Sequence, residues 1–385
     1  MDIVEIERRE HLGVADFVRD FLEPNIPVVL GPSLTSHWPA RRDWVTADGR
    51  PSFAHLAEVF GTTEVQVAEC DIVYFSDQKR TTIPFCEFLQ KWQHGPEDAR
   101  LYCKDWHFVQ ACPQRSFYRP LGHLSDDWIN LYYDANPELK DDYKFCYMGG
   151  NGTWTPFHED VFRSYSWSAN ICGRKRWILV PPGQNHLFTD SLGNWVYNLL
   201  DYDAAKFPRL TELKTLEIIQ YPGETVFVPA GWWHQVSNIG DTISINHNWS
   251  NEFGLRFMYE RLRGDLANVK YALRDVADME GFHEHAQLVL KADSGTDYPS
   301  FVRFVRVIAQ IYIDFRQNKR SAGAKLLADF DDVFCSPEGT RRALQRILDV
   351  AHRLLDDPDT KHIDGLHKDI KELKEMAESA LVESI

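Results

Sequence analysis

The run His158-Glu159-Asp160, answered by His234 74 residues beyond Asp160, constrains this chain more than any other feature. Two imidazoles and one carboxylate can hold one face of a ferrous ion and leave the opposite positions open. On a strand, side chains alternate with a period of two, so residues 158 and 160 are expected on one face. His234 must then arrive from a strand distant in sequence. A lone His-x-Asp pair is usually a surface or structural feature, so its surroundings decide what this one means.

His234 sits in Tyr221-Pro-Gly-Glu-Thr-Val-Phe-Val-Pro-Ala-Gly-Trp-Trp-His-Gln-Val236. Pro222-Gly223 reads as a turn, Thr225 to Val228 as a strand, Ala230-Gly231 as a tight reversal and Trp232 to Val236 as the returning strand of a hairpin. A metal ligand belongs on such a rigid element. The rival third ligands are His186, in an expected loop, and His247, on the strand after the Asn238-Ile-Gly-Asp241 turn.

The wider chain supports a β-rich setting. Ile26–Leu30, Glu64–Ala68, Arg176–Val180, Thr225–Val228 and Thr242–Asn246 are β-type runs separated by Gly, Pro and Asn. Short helices are expected at Phe53–Phe60 and Ile83–Gln93. Near residue 250 the pattern changes to helical spacing. Helices are predicted over 253–275, 281–292, 300–318, 337–356 and 362–383. In the third, Phe301, Phe304, Val305, Ile308, Ile311, Tyr312 and Phe315 mark one buried face. The expectation is a mainly β fold with α: a catalytic domain with N-terminal β/α elements over 1–250 and an α-helical region over 251–385. His283-Glu-His285 lies in a helix-like stretch, where residues i and i+2 diverge, and reads as surface.

Composition excludes several function classes. A formal charge of −15 argues against direct nucleic-acid binding. The seven cysteines, Cys70, Cys86, Cys103, Cys112, Cys146, Cys172 and Cys335, contain no C-x-x-C pair, which fits a reduced intracellular protein without a structural zinc cluster. The start Met1-Asp-Ile-Val-Glu-Ile-Glu7 lacks a signal-peptide pattern, and no run approaches the roughly 20 apolar residues of a membrane span. The compartment expected is the cytosol, or cytosol and nucleus.

A facial triad needs a source of electrons, and the usual organic partner is a 2-oxoacid that chelates the metal and leaves one position for dioxygen. Its distal carboxylate needs a cation. Lys175, in Ile171-Cys-Gly-Arg-Lys-Arg-Trp177, is the candidate, with Gly173 turning the chain so that Lys175 begins the neighbouring strand. Charge pattern alone reads Arg174, Lys175 and Arg176 as an exposed basic tip.

Trp154-Thr-Pro-Phe-His-Glu-Asp160, Ser168-Ala-Asn-Ile-Cys-Gly-Arg-Lys-Arg-Trp177, Pro181-Pro-Gly183 and Val228-Pro-Ala-Gly-Trp-Trp-His234 together resemble the JmjC-domain family. Its members are iron(II)- and 2-oxoglutarate-dependent oxygenases built on a double-stranded β-helix (cupin or jelly-roll) core, and the resemblance spans residues 20–250. Phe162 to Lys175 and Thr242 to Trp249 most resemble the branch of small JmjC-only proteins that hydroxylates a lysine of the eukaryotic translation termination (release) factor. The resemblance implies iron at His158, Asp160 and His234. It implies the distal carboxylate of 2-oxoglutarate at Lys175 and Thr155, with the hydroxyl of Tyr102 on the same group. Strict alternation puts Thr155 opposite His158, so periodicity does not predict that role; Pro156 is the residue that could break it. Tyr102 reads equally well as a core aromatic.

Two departures from the family stand out. Many relatives carry an asparagine where this chain has Ser166 or Ser168, and Asn246 stands where some carry a cosubstrate-binding threonine. Thr242, Ser244, Asn246 and Asn248 share one face by alternation and read either as a site wall or as a solvated face. Tyr147 matches an aromatic that borders the substrate channel, and packing explains it equally.

The function implied is oxidative decarboxylation of 2-oxoglutarate at Fe(II), with O2, coupled to hydroxylation of a lysine side-chain carbon in the termination factor. The rivals are a histone lysine demethylase and a catalytically inactive cupin-type scaffold for protein binding. The helices after residue 250 would form a homodimer contact, shape a substrate groove or act as a stabilising cap.

Overall fold

A computed structural model describes residues 5–75, 77–96 and 99–382. The first four residues of the N-terminal stretch and the expected helix end at Glu383 lie outside the described residues. Eleven strands are described: β1 (Glu7–Arg9), β2 (Val28–Leu30), β3 (Glu64–Tyr74), β4 (Asp77–Pro84), β5 (Leu101–Trp106), β6 (Lys144–Gly149), β7 (Trp154–His158), β8 (Tyr165–Val180), β9 (Leu216–Gln220), β10 (Thr225–Val228) and β11 (Trp233–Trp249). They form one sheet in the order β1-β2-β10-β8-β11-β6-β5-β3-β4, with β7 on β11 and β9 on β8. Apart from the parallel pair β1–β2, the registered pairs are antiparallel.

Two long strands organise this sheet by changing partners along their length. The first half of β8 pairs with β10 through Ser166–Ala169, and its second half pairs with β9 through Lys175–Leu179. Strand β11 pairs with β7 at His234–Ser237 and with β6 at Thr242–His247. The change in β8 falls at Gly173, whose φ is +69° and where a Cβ would sit 2.2 Å from the Asp241 carbonyl oxygen. Only glycine fits there, because an L side chain would be strained and would strike the neighbouring backbone.

Two expectations are corrected here. Gly173 is a bend within one 16-residue strand, so Lys175 does not begin a new one. The passage 221–236 is not a hairpin, because β10 pairs with β2 and β8, whereas β11 pairs with β6 and β7. Local turn signals do not report such a crossing. The strand expected at Glu64–Ala68 runs on to Tyr74 and pairs with β4, whose polar residues Asp77-Gln-Lys-Arg80 masked it.

Val29, Trp177, Leu179, Val226, Val228, Trp232 and Val236 pack into one buried cluster. Phe157, Val180, Phe188, Val196, Leu210 and Trp233 form another. These apolar faces explain the strand-type alternation of the first half.

The chain divides into two compact units, one comprising residues 1–121, 143–160 and 165–248, the other 122–142, 161–164 and 249–385. The second therefore takes in two short segments that lie before residue 250. Long-range packing claims the first of them: the Trp128 indole donates to the Tyr312 hydroxyl at 3.0 Å and to Asp126 at 2.9 Å. Its main helices are Leu255–Ala272, Phe282–Ser294, Tyr298–Arg316, Pro337–Asp356 and Leu366–Val382. The third starts earlier than periodicity predicts because Asp297 caps it, accepting from the Ser300 amide at 2.7 Å. No helix among the described residues is long and apolar enough to cross a membrane.

Candidate active site

His158 ends β7, Asp160 follows just beyond it, and His234 lies near the start of β11. His158 and His234 face each other in register, with ring centroids 4.3 Å apart. One donor atom from each of the three side chains lies within 4.8 Å of the others. The convergence differs in one respect from the expected geometry. Asp160 lies past the end of the strand, so it is the turn after His158, not strand alternation, that brings the carboxylate round.

Each imidazole is held in one tautomer. His158 Nδ1 donates to the Pro156 carbonyl at 2.8 Å, and His234 Nδ1 donates to the Trp232 carbonyl at 3.0 Å. Both Nε2 atoms are left as lone-pair donors, the arrangement in which histidine binds a metal. Burial, with His234 beside it, pushes the His158 imidazole down to about 4, so it is neutral near pH 7. Asp160 Oδ1 accepts from Asn248 at 2.9 Å, whereas its buried Oδ2 has no hydrogen-bond partner among the described residues. A buried carboxylate oxygen of this kind calls for a cation. The donor set therefore fits a divalent ion of the iron type.

The three residues open onto a cavity whose wall mixes polar and aromatic side chains. Tyr102, Thr155, Ser166, Lys175 and Asn246 line the same cavity. Lys175 is 2% exposed and is no basic tip. Its Nζ donates to Ser244 Oγ at 2.6 Å and meets no carboxylate among the described residues. Burial pushes this ammonium down to about 7. A buried lysine facing a cavity, with the Ser244 hydroxyl and the Tyr147 ring face (5.5 Å to the centroid) beside it and no carboxylate among the described residues, fits an anionic group of a ligand.

Residues 14–255 match the cupin-like domain family. The chain is 43% identical over 324 residues to a chicken protein named 2-oxoglutarate and iron-dependent oxygenase JMJD4, covering 81% of this chain and 76% of that one. The chain belongs to the JmjC family of cupin-like proteins. The zebrafish JMJD4 oxygenase is 39% identical over 377 residues, covering 94% of this JmjC chain and 88% of its own. An Arabidopsis thaliana relative named arginine-specific demethylase JMJ20 is 41% identical over 346 residues, covering 83% and 75%.

Within this JmjC fold, Thr155 reaches the cavity wall for a reason that alternation hides. His158 pairs with His234 and Thr155 with Val236, so three steps on β7 match two on β11. The extra residue is a bulge, which returns both side chains to one side. Gly173 acts similarly on β8, where Ser166 and Ser168 before the bend and Lys175 and Trp177 after it all line the cavity. The rival ligands fall away. His186 is exposed and lines no part of this cavity. His247 is a wall residue whose ring stacks on Trp167 at 4.3 Å and whose Nε2 is hydrogen-bonded to the Tyr118 hydroxyl.

Tyr102 is buried and lines the cavity. Ser168 donates to Asn246 Oδ1 at 2.9 Å, which ties β8 to β11 across the polar wall. Tyr147 borders the cavity and donates to Asp105, which Arg80 holds at 2.8 Å. Sequence reasoning missed Asp105, for it occupies a left-handed bulge (φ 56°) in β5 that no residue type announces. Ser244 and Asn248 were signalled by the polar alternation of 242–248, though not their partners.

Proposed function

We propose that this chain is an iron(II)- and 2-oxoglutarate-dependent dioxygenase that hydroxylates a protein side chain, with a lysine of the eukaryotic translation termination factor as its target. One observation carries the enzymatic part: a convergent His-Asp-His donor set and a buried lysine with no carboxylate partner among the described residues share one cavity. The JMJD4 names of the relatives support iron and 2-oxoglutarate as what that cavity takes.

His158, Asp160 and His234 would hold the iron, and Lys175 would receive the distal carboxylate of 2-oxoglutarate, with Thr155 and Tyr102 beside it. When bound, these cosubstrates and dioxygen supply oxidation of a C–H bond, 2-oxoglutarate leaving as succinate and carbon dioxide. The chain's share is positional. The carbonyls of Pro156 and Trp232 fix the imidazoles, the strand walls orient the ligand, and the aromatic lining of Trp167, Trp177 and Tyr147 limits water.

The termination-factor target rests on the resemblance of Phe162–Lys175 and Thr242–Trp249 to the JmjC-only branch. N-demethylation is the second reading, and the name of the Arabidopsis relative favours it. Mass spectrometry separates the two. Incubation with iron, 2-oxoglutarate and termination factor should add one oxygen to a lysine, and His158→Ala should abolish the gain. Loss of a methylene from methylated arginine or lysine peptides, with the termination factor unchanged, would replace the hydroxylase reading.

A further inference from the structure

The two oxygens of Asp160 have different surroundings. Oδ1 accepts a hydrogen bond from Asn248 Nδ2 at 2.9 Å, and Oδ2 is buried with no hydrogen-bond partner among the described residues. Asn248 stands on β11, the strand that carries His234, and both line the cavity. Asn248 is thus bound to one ligand through a hydrogen bond and to another through the backbone of a single strand.

We infer that Asn248 is a positioning residue that makes Asp160 a one-oxygen ligand. A carboxylate binds a metal through one oxygen or through both. With both, the protein would occupy four positions and leave too few for a chelating 2-oxoacid and dioxygen. By engaging Oδ1, the Asn248 amide reserves Oδ2 for the ion and keeps three positions open. An amide suits this task because it donates without charge: a lysine at 248 would pair with Asp160 and compete with the metal, and an aspartate would offer a further ligand. Substituting outer partners of metal ligands weakens metal binding by about 10- to 100-fold in other sites, which sets the scale expected here.

The inference rests on the iron-centre reading, and one experiment separates the two. Metal-free wild type, Asn248→Leu, Asn248→Gln and His158→Ala are titrated with Mn(II) by calorimetry. The same proteins are then given Fe(II) and 2-oxoglutarate without oxygen, and the visible charge-transfer absorption of the chelate is recorded. Wild type should bind one Mn(II) and His158→Ala none. Asn248→Leu, which keeps volume but loses the donor, should bind about 10-fold more weakly and lose most of the absorption even at saturating Fe(II). Asn248→Gln should recover part of both. Melting of the metal-free proteins should coincide, and should Asn248→Leu not fold, Asn248→Ala, which also lacks a donor, takes its place in the titration. Wild-type affinity and absorption in Asn248→Leu, with His158→Ala inactive in binding, overturn the role of Asn248 and leave the iron centre standing. Equal binding by wild type and His158→Ala overturns the iron centre itself.

Discussion

Lys175 Nζ lies 2.6 Å from the hydroxyl of Ser244, in a cavity wall where no carboxylate among the described residues meets it. The two residues stand on β8 and β11, the strands that change partners along their length. Burying an ammonium without a counter-ion is costly. A dicarboxylate whose other end reaches the His-Asp-His face would remove that cost.

Replacing Lys175 with methionine keeps the bulk and removes the charge. A buried charge-assisted hydrogen bond contributes about 1.5–3 kcal/mol, so the KM for 2-oxoglutarate should rise about 10- to 100-fold. Mn(II) affinity should hold, since Lys175 is not among the three donors. Succinate formation against 2-oxoglutarate concentration, paired with Mn(II) calorimetry, checks both halves.

The same lysine gives cosubstrate binding a pH dependence. Burial holds its folded value at about 7, below the ordinary lysine value, so the stability it contributes is present above that ordinary value and lost as pH falls through about 7. A bound carboxylate reverses the balance by favouring the ammonium. Saturating 2-oxoglutarate should therefore raise the melting temperature of the Mn(II)-loaded protein more at about pH 6.5 than at about pH 8.5. In Lys175→Met the difference should vanish.

Asp126 in the helical unit offers a test away from the site. It accepts from the Trp128 indole at 2.9 Å and from the Tyr312 hydroxyl at 2.8 Å. Burial first, and then the charge of Glu252, push its carboxyl up to about 8. The folded value lies above the unfolded one, so its stabilising contribution is present at low pH and lost as pH rises through about 8. Asn is neutral throughout and keeps the acceptor oxygen. Asp126→Asn should gain on wild type by roughly 2–3 kcal/mol between pH ~5.5 and ~8. Urea midpoints at the two pH values measure it; a constant gap would contradict the protonated carboxyl.

Gly173→Ala should destabilise the β-rich unit by at least ~2 kcal/mol, from left-handed strain and the collision with the Asp241 carbonyl. It should also weaken 2-oxoglutarate binding, because Gly173 sets which face of β8 carries Lys175. Gly240→Ala, which has the same sign of φ but no neighbouring atom within 4 Å, is the control and should cost less. Urea unfolding compares them.

What could be read from the sequence follows from range. Helix faces such as Phe301 to Phe315 and the polar stripe at 242–248 are local periodicities, and they survive folding as local facts. His234 was legible because its turn and strand signals surround it. Thr155 was not, since the bulge that turns it toward the cavity exists only in the pairing of β7 with β11. Lys175 was misread by charge pattern because its burial depends on strands 40 or more residues away. Trp128 joined the helical unit through a partner at Tyr312, which no local rule connects to it.

The most direct test of the central claim is iron-dependent conversion of 2-oxoglutarate to succinate by the purified protein, compared with His158→Ala. The account predicts succinate from wild type with iron and oxygen, loss of it on chelation, and at most a trace from His158→Ala. Succinate from wild type that is indifferent to iron, or none at all in the presence of termination factor, iron and oxygen, would contradict it.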